Sequence, residues 1–230
     1  MFNRDALRDG APTVTTHPAK DDLGYDRGME YAYVYDSPDR LYLNVTNRCT
    51  NRCVFCVRHH CEGLGGACLQ GGFEPDLGDL LEAVERAEER GRFSEFVWCG
   101  FGEPTFRLDL ITGAAPRLRS RGARIRLNTN GHGSLIHGRD VLDELAASVD
   151  VLSVSLNAAD AVRYAALCRP DLAAAPAVRY WEAVLDCVER AASKMREVRA
   201  SVVGHVLSAE EIEACRSLAL SLGVAGFRVR

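Results

Sequence analysis

The fold is decided by residues 41–56, which read Leu41-Tyr-Leu-Asn-Val-Thr-Asn-Arg-Cys-Thr-Asn-Arg-Cys-Val-Phe-Cys56. The apolar beginning of this stretch predicts a strand at about 41–46. Cys49, Cys53 and Cys56 follow in one short loop with the spacing C-x3-C-x2-C. Three thiolates close together can hold three irons of a cubane iron–sulfur cluster, which leaves the fourth iron without a protein ligand. An open metal position of this kind can bind a small molecule and act on it.

Zinc is the alternative occupant that the cysteine spacing leaves open. A structural zinc ion takes four ligands, and His59, His60 or Cys61 would supply the fourth. The spacing by itself does not decide between the two metal centres, so the choice depends on the rest of the chain.

Composition limits the class of protein. The 230 residues fit one large domain or two small ones, and 47% apolar residues suffice for a sizeable core. A net charge of −4 gives no electrostatic footprint for nucleic acid. The nine cysteines come without a signal peptide or a stretch as long as a membrane span. We therefore expect a cytoplasmic protein without a membrane partner, whose cysteines bind metal or act in catalysis.

Strand-like and helix-like segments alternate after an N-terminal stretch without periodicity. Strand patterns lie at 41–46, 95–99, 124–128, 150–156, 199–203 and 226–230. Helix patterns lie at about 76–90, 107–120, 138–148, 177–196 and 208–222, with Asp76, Asp140 and Ser208 as candidate N-caps. The alternation predicts an α/β fold, a partial (β/α)6 TIM-type barrel with parallel strands and an N-terminal β-hairpin extension. We expect residues 1–30 to be a flexible tail and 31–230 to be the core domain.

Polar and glycine-rich motifs follow the predicted strands. The cysteine loop follows the first strand, Gly100-Phe-Gly-Glu-Pro104 the second, and Asn128-Thr-Asn-Gly131 ends the third. Ser153-Val-Ser-Leu-Asn157 ends the fourth strand, and Gly204-His205 follows the fifth. Because the carboxyl ends of parallel strands lie at one edge of the sheet, these five segments are predicted to meet at one site.

These motifs resemble the radical S-adenosylmethionine superfamily from about Leu41 to the end of the chain. The resemblance is carried by the three cysteines, with Phe55 as the aromatic residue of the loop, and by the glycine–glutamate–proline turn. Residues 41–53 and Cys99-Gly-Phe-Gly-Glu-Pro104 look in particular like the TatD-linked members of the superfamily.

The resemblance implies roles for the first two motifs. Cys49, Cys53 and Cys56 would ligate a [4Fe–4S] cluster, whose remaining iron binds the amino and carboxylate groups of S-adenosylmethionine. Phe55 would pack beside the adenine. Phe101, Gly102 and Glu103 stand where the family has Gly-Gly-Glu, whose backbone carbonyls receive the methionine ammonium. A left-handed backbone at this phenylalanine would be strained, because only glycine adopts it freely.

The third and fourth strand ends would complete the cofactor site. The resemblance implies that five polar residues hold the carboxylate and ribose of S-adenosylmethionine: Thr129, Asn130, Ser153, Ser155 and Asn157. Many relatives carry Asp where this chain has Asn157, and an asparagine still bonds a ribose hydroxyl. His205 stands where some relatives have a glycine-rich motif and is a candidate only.

The resemblance also implies a reaction. An external donor of the flavodoxin or ferredoxin type reduces the cluster, S-adenosylmethionine is cleaved, and a 5′-deoxyadenosyl radical abstracts hydrogen from an unidentified substrate. One alternative is an activase with the same chemistry whose substrate is another protein. The other is a non-enzymatic zinc-binding module.

Several further residues are given ordinary roles. Cys61 and Cys68 flank a glycine-rich loop and are incidental thiols, with a second cluster as the alternative. His59 and His60 are expected to be a surface pair, with substrate contact as the alternative. Three arginines are expected to have surface roles, with contact to an anionic substrate as the alternative: Arg58, Arg126 and Arg163. The remaining cysteines and both tryptophans are expected in buried positions: Cys99, Cys168, Cys187, Cys215, Trp98 and Trp181.

Overall fold

The structure is a computed structural model that describes residues 29–71 and 74–230. The predicted flexible tail at 1–30 lies outside the described residues except for Met29 and Glu30. These two residues are attached to the core, since Met29 is buried and the backbone N–H of Glu30 donates to the carbonyl oxygen of Cys68 at 2.8 Å.

The strands form one main sheet in the order β1-β2-β5-β6-β7-β8-β9. The strands are β1 (Ala32–Tyr33), β2 (Arg40–Leu43), β5 (Glu95–Trp98), β6 (Arg124–Thr129), β7 (Val151–Ser155), β8 (Val198–Val202) and β9 (Gly226–Val229). β1 pairs antiparallel with β2, and every later neighbour is parallel. The predicted partial barrel of six parallel strands with an N-terminal hairpin is confirmed. A separate small hairpin, β3 (Gly63–Leu64) with β4 (Ala67–Cys68), lies beyond the cysteine loop.

Helices connect the parallel strands. They are α1 (Leu77–Glu88), α2 (Leu108–Arg119), α3 (Gly133–His137), α4 (Leu142–Ser148), α5 (Ala161–Cys168), α6 (Ala177–Lys194) and α7 (Ala209–Ser221). Asp76 and Ser208 cap α1 and α7 with reciprocal capping boxes, as predicted. Each cap satisfies backbone donors that would otherwise have no partner at the start of the helix.

One helix prediction needs correction, and two short helices, α3 and α5, were not predicted. The predicted helix at 138–148 begins only at Leu142, because Gly138 adopts φ 60° and ends α3 instead. Asp140 nevertheless accepts from the backbone N–H of Leu142 at 3.0 Å and so supports the start of α4. The short helix α5 was not predicted, although Asp160 caps it through the backbone N–H of Arg163.

The two faces of the sheet differ in chemistry because side chains alternate along each strand. One face packs against the helices in the main core, to which Trp98 and Trp181 contribute, as predicted. The other face, called the inner face below, carries the strand residues that alternate with those of the main core. Its apolar part comes from the first strands and the turn after β5: Tyr33, Tyr42, Val97 and Phe101. Its polar part comes from β6 to β9: Arg126, Ser153, Arg199, Ser201 and Arg228.

The main core predicts a contrast between two leucines. Leu127 lies in the central strand β6 with no exposed surface, whereas Leu220 on α7 is 57% exposed. Leu127→Ala is expected to lower the free energy of unfolding by about 2–5 kcal/mol, since it removes buried methyl groups and leaves a cavity. Leu220→Ala should change it by less than about 0.5 kcal/mol. Urea unfolding of both variants measures the difference, and equal losses would contradict the placement of β6 in the core.

Candidate active site at the carboxyl ends of the strands

The cysteine loop is fastened to the end of α5. The backbone N–H of Arg52 donates to the carbonyl oxygen of Cys168 at 3.0 Å, and that of Val54 donates to Leu167 at 2.9 Å. These bonds satisfy helix-end carbonyls, which have no partner within the helix itself. The unpredicted helix α5 therefore supports the segment that carries the three cysteines.

Arg58 holds the same loop from its other side. Its Nη1 donates to the carbonyl oxygen of Asn47 at 3.1 Å, and its Nη2 donates to that of Asn51 at 3.3 Å. One guanidinium thus joins the two flanks of Cys49. The prediction of an ordinary surface role for Arg58 was wrong, because the fork of donors spans backbone that lies close only after folding.

The turn after β5 packs directly on the cysteine loop. A side chain at Gly102 would place its Cβ 2.4 Å from the carbonyl oxygen of Thr46 and 2.6 Å from that of Arg48. The next backbone N–H, that of Glu103, donates to the carbonyl oxygen of Arg48 at 2.8 Å. Gly102 is therefore required for contact between the two motifs, which are separated by about fifty residues of sequence.

Phe101 fits this turn without backbone strain. The described residues other than glycine that have a positive φ are Asn157 and Arg169, so Phe101 avoids the left-handed region. Its backbone N–H donates to Oδ1 of Asn44 at 3.3 Å, and its side chain is buried in the apolar part of the inner face. The phenylalanine that departs from the family pattern is thus accommodated by packing.

The carboxylate of Glu103 is buried and accepts four hydrogen bonds. Oε1 accepts from the hydroxyls of Thr105 and Thr129, both at 2.7 Å, and from the backbone N–H of Thr105 at 3.2 Å. Oε2 accepts from the backbone N–H of Asn130 at 2.7 Å. Burial raises the pKa of Glu103, and these donors oppose the shift by stabilising the charged form. The side chain thereby joins the turn after β5 to the end of β6.

Asn130 connects the end of β6 to the first cysteine. Its Nδ2 donates to Oγ1 of Thr50 at 2.8 Å and lies 3.8 Å from Sγ of Cys49. Hydrogen bonds to cysteine sulfur are among the contacts that tune iron–sulfur clusters. The structure therefore brings the first and third strand-end motifs into contact, as the topology predicts.

His132 was missed by the sequence analysis and lies directly behind the cysteine loop. It is fully buried, with Nδ1 at 2.7 Å from Oγ1 of Thr50 and Nε2 at 3.1 Å from the hydroxyl of Tyr164. Nε2 also lies 3.2 Å from the carbonyl oxygen of Tyr180. Burial lowers the pKa of His132 to about 3, so the imidazole is neutral at pH 7. No periodic signal marks this residue in the sequence.

The fourth strand end contributes three of the predicted residues. Ser153 is buried, and its Oγ accepts from Nη2 of Arg230 at 3.2 Å. Ser155 is partly exposed and lies beside Ser201 in the register of β7 and β8. Asn157 is buried with φ 61°, and its Nδ2 lies 3.7 Å from Sγ of Cys168. Of these three residues, the contacts connect only Asn157 to the cysteine loop, because its neighbour Cys168 bonds Cys53.

The three cysteines are free thiols that are partly exposed, and Phe55 beside them packs against the main core. Burial raises the pKa of Cys49 to about 12 and also raises that of Cys56. A hydrogen bond with the thiol of Cys168, together with burial, raises the pKa of Cys53. Metal binding must therefore displace protons from these thiols. The buried position predicted for Cys168 is confirmed, but its contact with Cys53 was not foreseen.

Other candidates lie away from this arrangement. His59, His60 and His205 are exposed, so the surface pair at 59–60 is confirmed. Cys61 precedes the hairpin β3–β4 and Cys68 is the last residue of β4, and both are free thiols. Within residues 29–71 and 74–230, no three His, Cys, Asp or Glu side chains are grouped to hold a metal ion.

Comparison with known proteins defines the class. The family model of the Radical SAM superfamily matches residues 43–219, so the chain belongs to this superfamily and is an enzyme. In sequence it is 29% identical over 121 residues to a Pyrococcus furiosus protein, the tungsten-containing aldehyde ferredoxin oxidoreductase cofactor-modifying protein. That match covers 51% of this chain and 30% of the relative. The finer resemblance to TatD-linked proteins stays a prediction.

Solved structures show the same fold. Streptococcus suis SuiB bound to the precursor peptide SuiA has a TM-score of 0.59 at 16% identity, over 84% of this chain and 39% of SuiB. SuiB bound to S-adenosylmethionine has a TM-score of 0.54 at 16% identity, over 79% of this chain and 36% of SuiB. An archaeal TYW1 has a TM-score of 0.50 at 12% identity, over 83% of this chain and 64% of TYW1. The chain therefore spans between about a third and two thirds of these proteins.

The superfamily uses a [4Fe–4S] cluster and S-adenosylmethionine as cofactors and needs an electron donor. The residues present fit these groups in type and spacing, because three free thiols lie in one loop and an amide N–H lies beside one of the sulfurs. Within the described residues the three sulfurs are not gathered as metal ligands, and Cys53 bonds Cys168 instead. Among the described residues, no helix is both long and apolar enough to cross a membrane.

The contact of Gly102 with the cysteine loop predicts the effect of adding one methyl group. Gly102→Ala forces the turn away from the carbonyls of Thr46 and Arg48, so we expect a loss of about 1–3 kcal/mol of unfolding free energy. The reconstituted variant should also retain less iron. Gly91→Ala is the matched control, since its Cβ would meet nothing within 4 Å. Urea unfolding measures the free energy of unfolding, and iron analysis measures the retained iron. Equal values of both in the Gly102→Ala and Gly91→Ala variants would contradict the placement of the turn.

The neutral state of His132 predicts a pH dependence of stability. The pKa of His132 is about 3 in the folded protein and about 6.5 in the unfolded chain. Between pH 3 and pH 6.5 the unfolded chain therefore binds one more proton at this imidazole than the folded protein does. The stability it contributes is complete above pH 6.5 and is lost as the pH falls toward 3. Between pH 7 and pH 5 this group should account for a loss of about 2 kcal/mol.

Unfolding of two histidine variants at both pH values isolates this contribution. His132→Gln should lose less stability than the wild type on acidification, whereas His205→Gln, at an exposed position, should follow the wild type. The same pH slope in all three proteins would argue against a buried neutral histidine.

Proposed function

We propose that the chain cleaves S-adenosylmethionine at a cluster held by Cys49, Cys53 and Cys56. These cysteines would hold a cluster that, when reduced, would supply one electron to cleave the carbon–sulfur bond of S-adenosylmethionine, giving methionine and a 5′-deoxyadenosyl radical able to take a hydrogen atom from the substrate. The observation that carries this proposal is the packing of the Gly102 turn onto the loop of the three cysteines. It supports a single site built from two motifs that are distant in sequence.

The residues around the loop are proposed to bind and orient S-adenosylmethionine. The carbonyls of the turn at Phe101 and Gly102 would accept from the methionine ammonium, while Glu103 keeps the turn in place through its four hydrogen bonds. Phe55 lies in the loop itself and would pack on the adenine. The polar groups at the ends of β6 and β7 would hold the carboxylate and ribose: Thr129, Asn130, Ser153, Ser155 and Asn157.

The setting of the reaction follows from its chemistry. A flavodoxin- or ferredoxin-type protein is proposed as the electron donor. A cytoplasmic location is also proposed, because a reducing compartment protects a cluster with an open iron and keeps nine thiols free.

A protein substrate is the second candidate. Within the described sheet, β1 and β9 are edge strands, so the inner face is open at the side to an extended chain. An activase of this kind would leave a stable radical on its partner protein. Turnover of a small molecule without such a radical would favour the first candidate.

Removal of each ligand cysteine tests the proposed site. Cys49→Ala, Cys53→Ala and Cys56→Ala should each lower iron and labile sulfide after anaerobic reconstitution and reduce release of 5′-deoxyadenosine by at least about a hundredfold. Dithionite and S-adenosylmethionine start the assay, and chromatography measures the product. Release by these variants at the wild-type rate would sink the proposal.

Cys61→Ala is the matched control, because Cys61 is a free, partly exposed thiol of the neighbouring segment. It should retain the wild-type iron, sulfide and product release. One zinc per wild-type chain without labile sulfide would instead support the zinc-binding module.

A further inference from the structure

Five arginines gather at the amino end of the inner face, opposite the proposed cofactor site. They line a cavity of about 270 Å³ and are Arg40, Arg124, Arg126, Arg199 and Arg228. Asp39 and Glu95 are the acidic residues of the same lining, so five arginines against two carboxylates leave a net charge of +3. A cavity lined by one sign of charge concentrates ligands of the opposite sign.

Two further carboxylates contact these arginines from outside the lining, Asp36 at Arg40 and Glu197 at Arg124 and Arg199. With them, five arginines face four carboxylates, and a net charge of +1 remains. Glu95 is shared, since its Oε2 lies 3.0 Å from Nη2 of Arg126 and 3.4 Å from Nε of Arg40. Glu197 is likewise shared by Arg124 and Arg199. Each of the two shared carboxylates therefore balances two guanidiniums.

The side chain of Arg228 has no hydrogen bond or ion pair with the residues that the structure describes, and it is exposed at the cavity. Desolvation lowers the pKa of the neighbouring Arg230, and the positive charges of Arg126 and Arg228 lower it further. The positive charges of this region thus act on one another, and Arg228 is the cavity arginine without a carboxylate partner among the described residues.

Arg126 supplies a second, independent observation. Only 7% of its surface is exposed, and its Nε is buried without a hydrogen-bond partner. Its Nη2 donates to Glu95, and its Nη1 donates to Oδ1 of Asn128 at 3.4 Å. A buried guanidinium N–H that lacks an acceptor is costly, because it has lost its hydration without compensation. A ligand oxygen would remove that cost. The prediction of a surface role for Arg126 was therefore wrong.

The inner face joins this cavity to the proposed cofactor site. Arg126 and Asn128 lie on the same face of β6, and the strand leads to Asn130 beside Cys49. Four residues of extended strand span about 13 Å. A molecule bound at Arg126 could therefore reach the carboxyl edge with its other end.

We propose that the arginine cavity binds a phosphate group of the substrate, whose reacting carbon lies toward the cysteine loop. This inference rests on the proposed function. A phosphate monoester carries nearly two negative charges at neutral pH and three acceptor oxygens. Its three oxygens can accept from the partnerless Nε of Arg126 and from the side chain of Arg228 together, and they suit the fork geometry of guanidinium groups better than the two oxygens of a carboxylate do.

Binding of defined probes to the reconstituted full chain tests the inference. Calorimetric titrations use inorganic phosphate, ribose 5-phosphate, ribose and acetate, at an ionic strength kept constant with chloride because salt screens exposed charges. We expect both phosphates to bind, ribose 5-phosphate more tightly, and ribose and acetate to bind at least about tenfold more weakly. Acetate binding as tight as phosphate binding, or free phosphate binding tighter than the ester, would overturn the assignment.

Three arginine variants locate the binding. Arg199→Gln and Arg228→Gln should each weaken binding of ribose 5-phosphate about tenfold, since each removes a charged donor from the cavity. Arg117→Gln removes the same charge from the exposed surface of α2 and should bind like the wild type. Circular dichroism checks that all three are folded. Equal affinities in the wild type, Arg199→Gln and Arg228→Gln would refute the site.

Release of 5′-deoxyadenosine by the reduced wild type separates this inference from the proposed function. If the wild type releases 5′-deoxyadenosine but does not bind phosphate, the phosphate inference is overturned and the proposed function stands. Phosphate binding without any release would overturn the proposed function, and with it the claim that the phosphate belongs to a radical-reaction substrate.

Discussion

The buried carboxylate of Glu103 is the interaction on which the rest of the site depends. Its four donors come from the turn after β5 and from the end of β6, so one side chain fixes the relative position of two strand ends. The backbone N–H of the same residue bonds the cysteine loop through Arg48. An uncompensated buried carboxylate would destabilise the fold, whereas one with four donors holds three segments together.

The order of elements could be predicted because it depends on local patterns. Each strand is a short apolar run and each long helix has an apolar stripe, so the partial barrel and the edge bearing the motifs follow from chain order and right-handed connections. The strand-end residues Thr129 and Asn130 were identified for the same reason. What the pattern cannot supply is the partner of each side chain. The donors around the carboxylate of Glu103, which come from Thr105, Thr129 and Asn130, follow from the folded turn and not from the sequence pattern.

The residues that escaped prediction depend on contacts between distant segments. His132 has Thr50, Tyr164 and Tyr180 as neighbours, which belong to three other parts of the chain. Arg126 follows Ile125 and precedes Leu127, and alternation tells that its side chain lies opposite these two. Alternation does not tell whether the opposite face meets water or the interior of a partial barrel. Only the curvature of the assembled sheet decides that, and it makes Arg126 a buried cation.

The inner face also explains why a phenylalanine is tolerated in the turn. Phe101 extends the apolar part of that face beside Tyr33, Tyr42 and Val97, while four of the five cavity arginines lie on β6, β8 and β9. A substrate with one charged end and one uncharged end would meet matching surfaces along this face. Fixing the charged end about 13 Å from Asn130 restricts the position of the uncharged end. A radical reacts with whichever hydrogen lies closest to it, so an anchor remote from the reacting carbon would select that hydrogen by geometry alone.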